Sequence, residues 1–208
     1  MGYRMSKEEW ETLQSYQEIA EVWNTLHQKR WKDQNWYYWR HLLKGTRILD
    51  LGCGTARDVE LFSSDGLHYV GIDLCREMLE VARRGDCAKL LDGGMARLVH
   101  MNMCELGFRP GVFDGFFSVA ALMHISRENF IYALREIKRV LKPGGVGFIE
   151  TPKGNLSEMY QGGPHGGKTL CVGWSFDRLE PLLKSAGFEI VYAPISYGML
   201  ICIVKADE

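Results

Sequence analysis

Short apolar runs alternate with amphipathic stretches along most of the chain. Apolar segments of about four to eight residues are typical of strands buried in a parallel sheet, and apolar residues at every third or fourth position are typical of helices. Between residues 47 and 150 the two patterns follow each other repeatedly. They predict an α/β fold with a doubly wound, mostly parallel sheet and right-handed crossovers. The predicted strands are 47–51, 68–73, 98–103, 112–119 and 146–150.

The sequence predicts helices over residues 6–44. Ser6 can cap the first of them, with Glu9 three positions later as in a capping box, and apolar residues then recur at helical spacing. This segment also holds Trp10, Trp23, Trp31, Trp36 and Trp39. Two interpretations stay open for its aromatic rings: they pack the helices onto the sheet, or the helices form a lid over a binding site.

The last third of the chain reads differently. Residues 155–169 are rich in glycine and favour an irregular segment, either a mobile substrate loop or a disordered connector. A helix is expected over 178–186. The segments 190–192 and 199–204, separated by Pro194 and Gly198, predict an antiparallel hairpin that closes the sheet.

Composition narrows the class of protein. A chain of 208 residues fits one domain, divided here into a helical lid over 1–44 and an α/β core over 45–208. The net charge of -1 argues against nucleic acid as a partner. The six cysteines lack a Cys-x-x-Cys pair, so neither a metal site nor a disulfide framework is indicated. Without a long apolar run or a signal peptide, we expect a cytoplasmic protein with no membrane contact.

A glycine-rich turn follows the first predicted strand. Gly52 and Gly54 allow backbone to approach a ligand closely, and the helix that follows presents free amides. A dinucleotide fingerprint requires a third small residue at position 57, which is Arg57, so that interpretation fails. The second strand ends at Asp73, about 20 residues beyond the turn, where a carboxylate can accept hydrogen bonds from both ribose hydroxyls. The pattern predicts a nucleotide-type pocket.

The segment Asp50-Leu-Gly-Cys-Gly-Thr-Ala56 resembles the first motif of the class I S-adenosylmethionine (SAM) dependent methyltransferases. That family usually has glycine where this chain has Ala56, a departure for which we expect ordinary backbone angles. The resemblance implies a Rossmann-like fold and SAM as cofactor, with S-adenosyl-L-homocysteine (SAH) as product. It also implies that the first motif contacts the cofactor, through Asp50, Gly52, Cys53, Gly54 and Arg57.

Four further segments resemble the family's motifs in their expected order. Tyr16-Gln-Glu-Ile-Ala is similar to a segment that closes the cofactor pocket, and 112–125 is similar to the fourth motif. Where the family often has an aspartate that binds the adenine amino group, this chain has Asn102, whose carbonyl can accept the same bond. The remaining cofactor-binding residues that the resemblance implies are Tyr16, Asp73, Leu74, Met78, Asn102, Met103 and Ala120.

Methyl transfer from a sulfonium requires mainly positioning, and a base only if the acceptor must lose a proton. His124 is the first candidate for that base and His165 a distant second. We expect a small-molecule acceptor and a monomer or homodimer. Two alternatives stay open: a tRNA wobble-uridine methyltransferase, whose opening segment is similar, and a regulatory protein that binds SAM without catalysis.

Overall fold

The computed structural model describes residues 2–26, 33–85, 87–161 and 167–207. Within them the chain forms one large mixed sheet and a separate two-stranded sheet. The strands of the large sheet are β1 (Arg47–Leu51), β2 (His68–Asp73), β3 (Ala96–His100), β4 (Phe113–Val119), β5 (Leu141–Pro152), β8 (Phe188–Tyr192), β9 (Ile195–Ser196) and β10 (Met199–Ala206), and those of the small one are β6 (Ser157–Gln161) and β7 (Lys168–Val172).

The large sheet has the strand order β3-β2-β1-β4-β5-β10-β8, with β9 paired to β10. Strands β1 to β5 are parallel, and β10 runs antiparallel to both β5 and β8. The order reverses between β1 and β4, which is where a parallel sheet of this kind opens a crevice at the carboxyl ends of its strands. The predicted Rossmann-like sheet with a C-terminal antiparallel pair is therefore confirmed.

Helices cover both faces of the sheet. They are α1 (Lys7–Leu26), α2 (Gln34–Leu42), α3 (Val59–Ser64), α4 (Arg76–Arg84), α5 (Ala88–Asp92), α6 (Arg127–Val140) and α7 (Phe176–Ser185), with a 3-10 turn over Leu122–His124. One face buries α6 and α7 against Leu49, Phe116 and Ile149. The opposite face buries α2, α3 and α4 against Ile48 and Phe117.

The structure corrects two expectations about irregular segments. The stretch 155–169 is not irregular throughout, because β6 and β7 pair as an antiparallel hairpin; residues 162–166, which include His165, lie outside the described residues. The segment 141–145 ends α6 as expected, yet sheet pairing already begins at Leu141 opposite Phe113. Gly144 and Gly145, which predicted a plain turn, lie where the register between β4 and β5 shifts between Phe113 and Gly115.

The two N-terminal helices occupy different places. Helix α2 packs on the sheet, with Trp36 and Trp39 fully buried. Helix α1 lies over the carboxyl ends of the strands and contacts β7 and α4. Of the lid expected over 1–44, only the part that contains α1 therefore has the position of a lid.

Candidate active site

The floor of the site is the turn after β1. Gly52 and Gly54 adopt φ values of +67° and +55°, which glycine reaches without strain. A Cβ on Gly52 would stand 2.4 Å from the Cβ of Ala121, so no larger residue fits. Ala56 also lies in the left-handed region, at φ +53°, and the expectation of ordinary backbone angles there was wrong. The surrounding structure imposes this conformation on the alanine.

Asp73 joins the floor to the end of β2. Its carboxylate accepts hydrogen bonds from the backbone amides of Gly54, at 2.7 Å, and Cys75, at 2.8 Å. Burial raises the pKa of Asp73, while these two amides act in the opposite direction. Each oxygen retains a second lone pair for a ligand. The carboxylate is thus fixed in place with acceptor capacity to spare.

Asp50 lies one strand away, buried at the end of β1. Its Oδ2 accepts a 2.6 Å hydrogen bond from the hydroxyl of Tyr69. Burial raises the pKa of Asp50 to about 7, and the Tyr69 bond opposes that rise. Two carboxylates, the buried Asp50 and the partly exposed Asp73, therefore stand beneath the same turn, where a ligand offering hydroxyl donors or positive charge is favoured.

The roof of the site is α1, held at its first turn by Glu9. Ser6 and Glu9 form the predicted capping box: the Glu9 amide donates to Ser6 Oγ at 3.1 Å and the Ser6 amide donates to Glu9 Oε2 at 2.9 Å. The same buried carboxylate accepts from the Ser126 amide at 2.8 Å and from Asn129 Nδ2 at 3.0 Å. Glu9 therefore also caps α6, because the N-cap residue of α6, Ser126, makes no side-chain capping hydrogen bond.

A second set of polar contacts ties α1 to the β6–β7 hairpin. The Leu170 amide donates to Thr12 Oγ1 at 2.7 Å, and the Ser15 hydroxyl donates to the Lys168 carbonyl at 2.6 Å. A Cβ on Gly167 would come within 2.9 Å of the Ser15 Cβ, which shows how closely the two backbones approach. The hairpin thus supports the outer side of the roof.

Tyr16 and His124 meet where the roof crosses the cleft. His124 Nδ1 lies 2.6 Å from the carbonyl of Leu170, and Nε2 lies 2.8 Å from the hydroxyl of Tyr16. A carbonyl can only accept, so Nδ1 carries the proton and Nε2 accepts from Tyr16. Burial lowers the pKa of His124, and the Leu170 bond opposes that shift. The imidazole is therefore held neutral in one tautomer.

Floor and roof enclose a single cleft with about 1180 Å³ of empty space, including the part open to solvent. Every predicted site residue that the structure describes lines it, from Tyr16 through the glycine turn to His124. Their roles toward a ligand stay predictions. Lining residues that sequence reasoning did not identify as site residues include Tyr3, Met5, Glu9, Thr12, Thr55, Asp58, Cys75, Ala121 and Ile125.

Within the described ranges, no group of three or more His, Cys, Asp or Glu side chains is arranged to hold a metal ion. In the same ranges, none of the helices combines the length and apolar character needed to cross a bilayer.

The central part of the chain matches a family profile. Residues 49–149, which contain the glycine turn and most of the parallel strands, match the profile described as a methyltransferase domain. The human protein named probable tRNA methyltransferase 9B is 30% identical over 131 residues, which make up 62% of this chain and 26% of that protein. The match therefore spans about a quarter of that relative's length.

A bacterial relative and a solved structure are also similar. The demethylmenaquinone methyltransferase of Listeria welshimeri is 31% identical over 147 residues, which cover 68% of this chain and 60% of that protein. The crystal structure of a Burkholderia thailandensis 1,6-didemethyltoxoflavin-N1-methyltransferase, with 1,6-didemethyltoxoflavin and SAH bound, superposes with a TM-score of 0.71 at 20% identity. That alignment covers 100% of this chain and 94% of the other, and at this identity it establishes the fold alone.

Proposed function

We propose that the chain is a class I SAM-dependent methyltransferase, an enzyme that uses SAM as its cofactor, and that it methylates a small-molecule acceptor in the cleft beneath α1. The observation that supports the proposal is that the predicted site residues within the described ranges, from Tyr16 to His124, line one cleft. Its floor is a left-handed glycine turn with fixed carboxylates, and its roof is a helix attached at several points.

The residues present suit SAM by their chemistry. Gly52 and Gly54 leave the turn without side chains, and a Cβ on Gly54 would meet Trp23 Nε1 at 3.9 Å, so the backbone faces the cleft. Asp73 would take the ribose hydroxyls through its remaining lone pairs, and Arg57 supplies positive charge for a carboxylate. When bound, SAM supplies a methyl group already activated on a sulfonium, so the protein's task is to position the acceptor and exclude water.

A small acceptor fits the enclosure better than a large one. The polar contacts of Glu9, Thr12 and Ser15 hold α1 over the cleft, and apolar side chains such as Leu13 and Ile125 line it. Two similar proteins support the same acceptor class. By their names, the Listeria welshimeri relative methylates demethylmenaquinone and the Burkholderia thailandensis protein methylates 1,6-didemethyltoxoflavin.

His124 acts, in this proposal, through Tyr16 rather than directly on the acceptor. Nε2 is already occupied by the Tyr16 hydroxyl, so an acceptor that must lose a proton passes it to the Tyr16 oxygen while Tyr16 passes its own proton to Nε2. His124 becomes imidazolium, with Nδ1–H still donating to the Leu170 carbonyl. An acceptor that needs no deprotonation makes the pair dispensable.

Calorimetric titration with SAH tests the cofactor site. We expect binding by the wild type and a loss of roughly 10- to 100-fold in affinity for Asp73→Ala, since hydrogen bonds to a charged group are removed. Asp92→Ala, a change of the same kind at an exposed position, should bind as the wild type does. No binding by the wild type refutes the proposal.

A screen of small-molecule pools with methyl-labelled SAM, read by mass spectrometry, tests the acceptor class. With an acceptor in hand, His124→Ala should retain SAH affinity and lose roughly 100-fold in turnover. Unchanged turnover removes the catalytic role of His124. Tight SAH binding without transfer to any acceptor would favour the regulatory alternative.

Besides the similar opening segment, the 30% identity to the probable tRNA methyltransferase 9B favours the tRNA alternative. The net charge of -1 provides no general attraction to phosphate. Filter binding to tRNA at low and moderate salt distinguishes the two acceptor classes. Retention of tRNA that falls steeply with salt would support an RNA acceptor, and no retention would support a small-molecule acceptor. The cytoplasmic location, the single domain and the monomeric or homodimeric state stay predictions.

A further inference from the structure

Tyr69 reaches the floor of the cleft from inside the core. Its side chain is 1% exposed and packs against Phe62, with the two ring centroids 5.2 Å apart. Its hydroxyl donates the 2.6 Å hydrogen bond to Asp50 Oδ2. Asp50 lines the cleft, while Tyr69 belongs to the core cluster beneath it. The bond therefore links a core side chain to a carboxylate that a ligand can contact.

Gly71 makes room for this contact. Tyr69 and Gly71 lie on the same face of β2, and Gly71 pairs with Asp50 across the two strands. A Cβ on Gly71 would stand 2.8 Å from the Tyr69 hydroxyl oxygen, closer than Cβ atoms approach their neighbours in proteins. Any other residue at position 71 would displace the tyrosine ring. The missing side chain thus lets the Tyr69 hydroxyl lie against Asp50.

Tyr69 influences the charge that Asp50 carries. The titratable groups around Asp50 are Tyr69 and Asp73 of β2, and Cys53, Arg57 and Asp58 of the segment between β1 and α3. Burial raises the pKa of Asp50, and the neighbouring carboxylates act in the same direction. The Tyr69 hydroxyl opposes the rise because it donates its proton to the ionised form, and the resulting pKa is about 7. Without this bond, Asp50 would be protonated at higher pH.

The charge of Asp50 matters to a ligand in the cleft. SAM and SAH both carry an ammonium group, which an ionised carboxylate attracts and a protonated one does not. Phenylalanine at position 69 would fill the same core volume, and a buried hydroxyl costs free energy unless it is hydrogen-bonded. The hydroxyl is therefore explained by its effect on Asp50 rather than by packing of the core.

We propose that Tyr69 is a positioning residue for cofactor binding, which holds Asp50 as an ionised carboxylate at the floor of the cleft. Tyr69 acts from the core, without touching the ligand. This inference rests on the proposed function, because it requires SAM or SAH to bind above Asp50.

Calorimetric titration with SAH across a range of pH tests the role of Tyr69. We expect the affinity of the wild type to fall roughly tenfold from about pH 8 to about pH 6, since protonation of Asp50 removes the attracting charge. In Tyr69→Phe the fall should lie about one pH unit higher, because the ionised form has lost a hydrogen bond. Tyr37→Phe, which removes an exposed hydroxyl, should keep the wild-type profile. A loss in Tyr69→Phe by the same factor at every pH overturns the proposal.

A second variant assigns the fall in affinity to its source. In Asp50→Asn the fall should disappear, whereas a fall that comes from another group, such as His124, persists there and contradicts the proposal. Should Tyr69→Phe not fold, 3-fluorotyrosine at position 69 takes its place. Its more acidic hydroxyl is a stronger donor, so the fall must move to lower pH, and an unchanged profile overturns the role of Tyr69.

The outcomes separate this inference from the proposed function. If the wild type binds SAH with a pH profile that Tyr69→Phe leaves unchanged, the positioning role is overturned and the proposed function stands. If the wild type binds no SAH at any pH, the proposed function fails and the positioning role with it.

Discussion

The two N-terminal helices are fixed to the same sheet by different forces. Helix α2 buries Trp36 and Trp39 completely, and both rings contact Phe62 and Phe117. Helix α1 fully buries only Ala20 in an apolar cluster with α4, around which the partly buried Leu13, Tyr16, Ile19 and Trp23 pack, and its Trp10 is 51% exposed. Polar side chains attach the rest of the helix. One helix belongs to the core, and the other is attached across a cleft.

The difference matters because the two kinds of attachment respond differently to ligand exchange. Burying a large aromatic side chain stabilises the folded state by several kcal/mol, and this stabilisation is lost only when the core unfolds. Each hydrogen bond contributes about 1 kcal/mol net and can be replaced by a hydrogen bond to water. A roof made of α1 can therefore open while the core around α2 stays intact. The following predictions test this contrast.

Replacing Trp36 by alanine should have the largest effect. We expect the free energy of unfolding to fall by about 3–5 kcal/mol, because a fully buried ring in an aromatic cluster leaves a cavity. Urea denaturation measures the loss. Tyr37→Ala, at a neighbouring position that is 60% exposed, should change it by less than about 0.5 kcal/mol. Similar losses for both variants would contradict the assignment of α2 to the core.

Replacing Glu9 by alanine should loosen the roof and spare the core. The amide of Ser126 and the side chain of Asn129 lose their acceptor, a local cost of about 1–3 kcal/mol. Hydrogen exchange should accelerate in α1 and at the start of α6, with α2 unchanged. Glu8→Ala, at the exposed neighbouring position, serves as the control. Uniform acceleration across both helices would mean that α1 is part of the core.

A smaller effect is expected from Thr12→Val, which keeps the shape of the side chain and removes one acceptor. The Leu170 amide loses its partner, so its exchange should accelerate by an amount that corresponds to about 1 kcal/mol. Thr25→Val removes an equivalent hydroxyl at the other end of α1, where it bonds the Val22 carbonyl, and should leave Leu170 protected. Equal protection in both variants would show that this contact does not support the roof.

The smallest effect should come from pH. Burial lowers the pKa of His124, so the closed roof takes up a proton less readily than the open one. The contribution of the Tyr16–His124 bond is full above about pH 6.5 and declines as the pH falls below that value. Protection factors of α1, corrected for intrinsic exchange, should drop from about pH 7 to 5 while those of α2 do not. In His124→Phe this difference between the helices should vanish; its persistence would assign the effect to other groups.

Sequence reasoning reached the parallel core because its signals are local. The bounds of β1 and β2 follow from short apolar runs, and the site residues of the glycine turn and Asp73 follow from spacing along adjacent elements. Strand β3 begins two residues earlier than expected, and α5 had no clear periodicity because it has a single turn.

The roof could not be predicted in the same way. The contacts that fix α1 join Glu9, Thr12 and Ser15 to residues 117 to 158 positions away, and no local pattern encodes such pairs. Hairpin β6–β7 was missed because the glycines between its strands predict irregular backbone, whereas pairing with each other and with α1 orders the flanks. Tyr3 lies ahead of every recognisable motif.

Ala56 has a thermodynamic consequence. A glycine at φ +53° samples many other backbone states when the cleft is empty, and a methyl group removes most of them. Folding already holds the alanine in this strained conformation. Ligand binding therefore causes a smaller loss of backbone entropy in the turn. We expect Ala56→Gly to bind SAH with a more unfavourable entropy in calorimetry, and an unchanged entropy would show that the loop is rigid for other reasons. The missing glycine makes the turn preorganised.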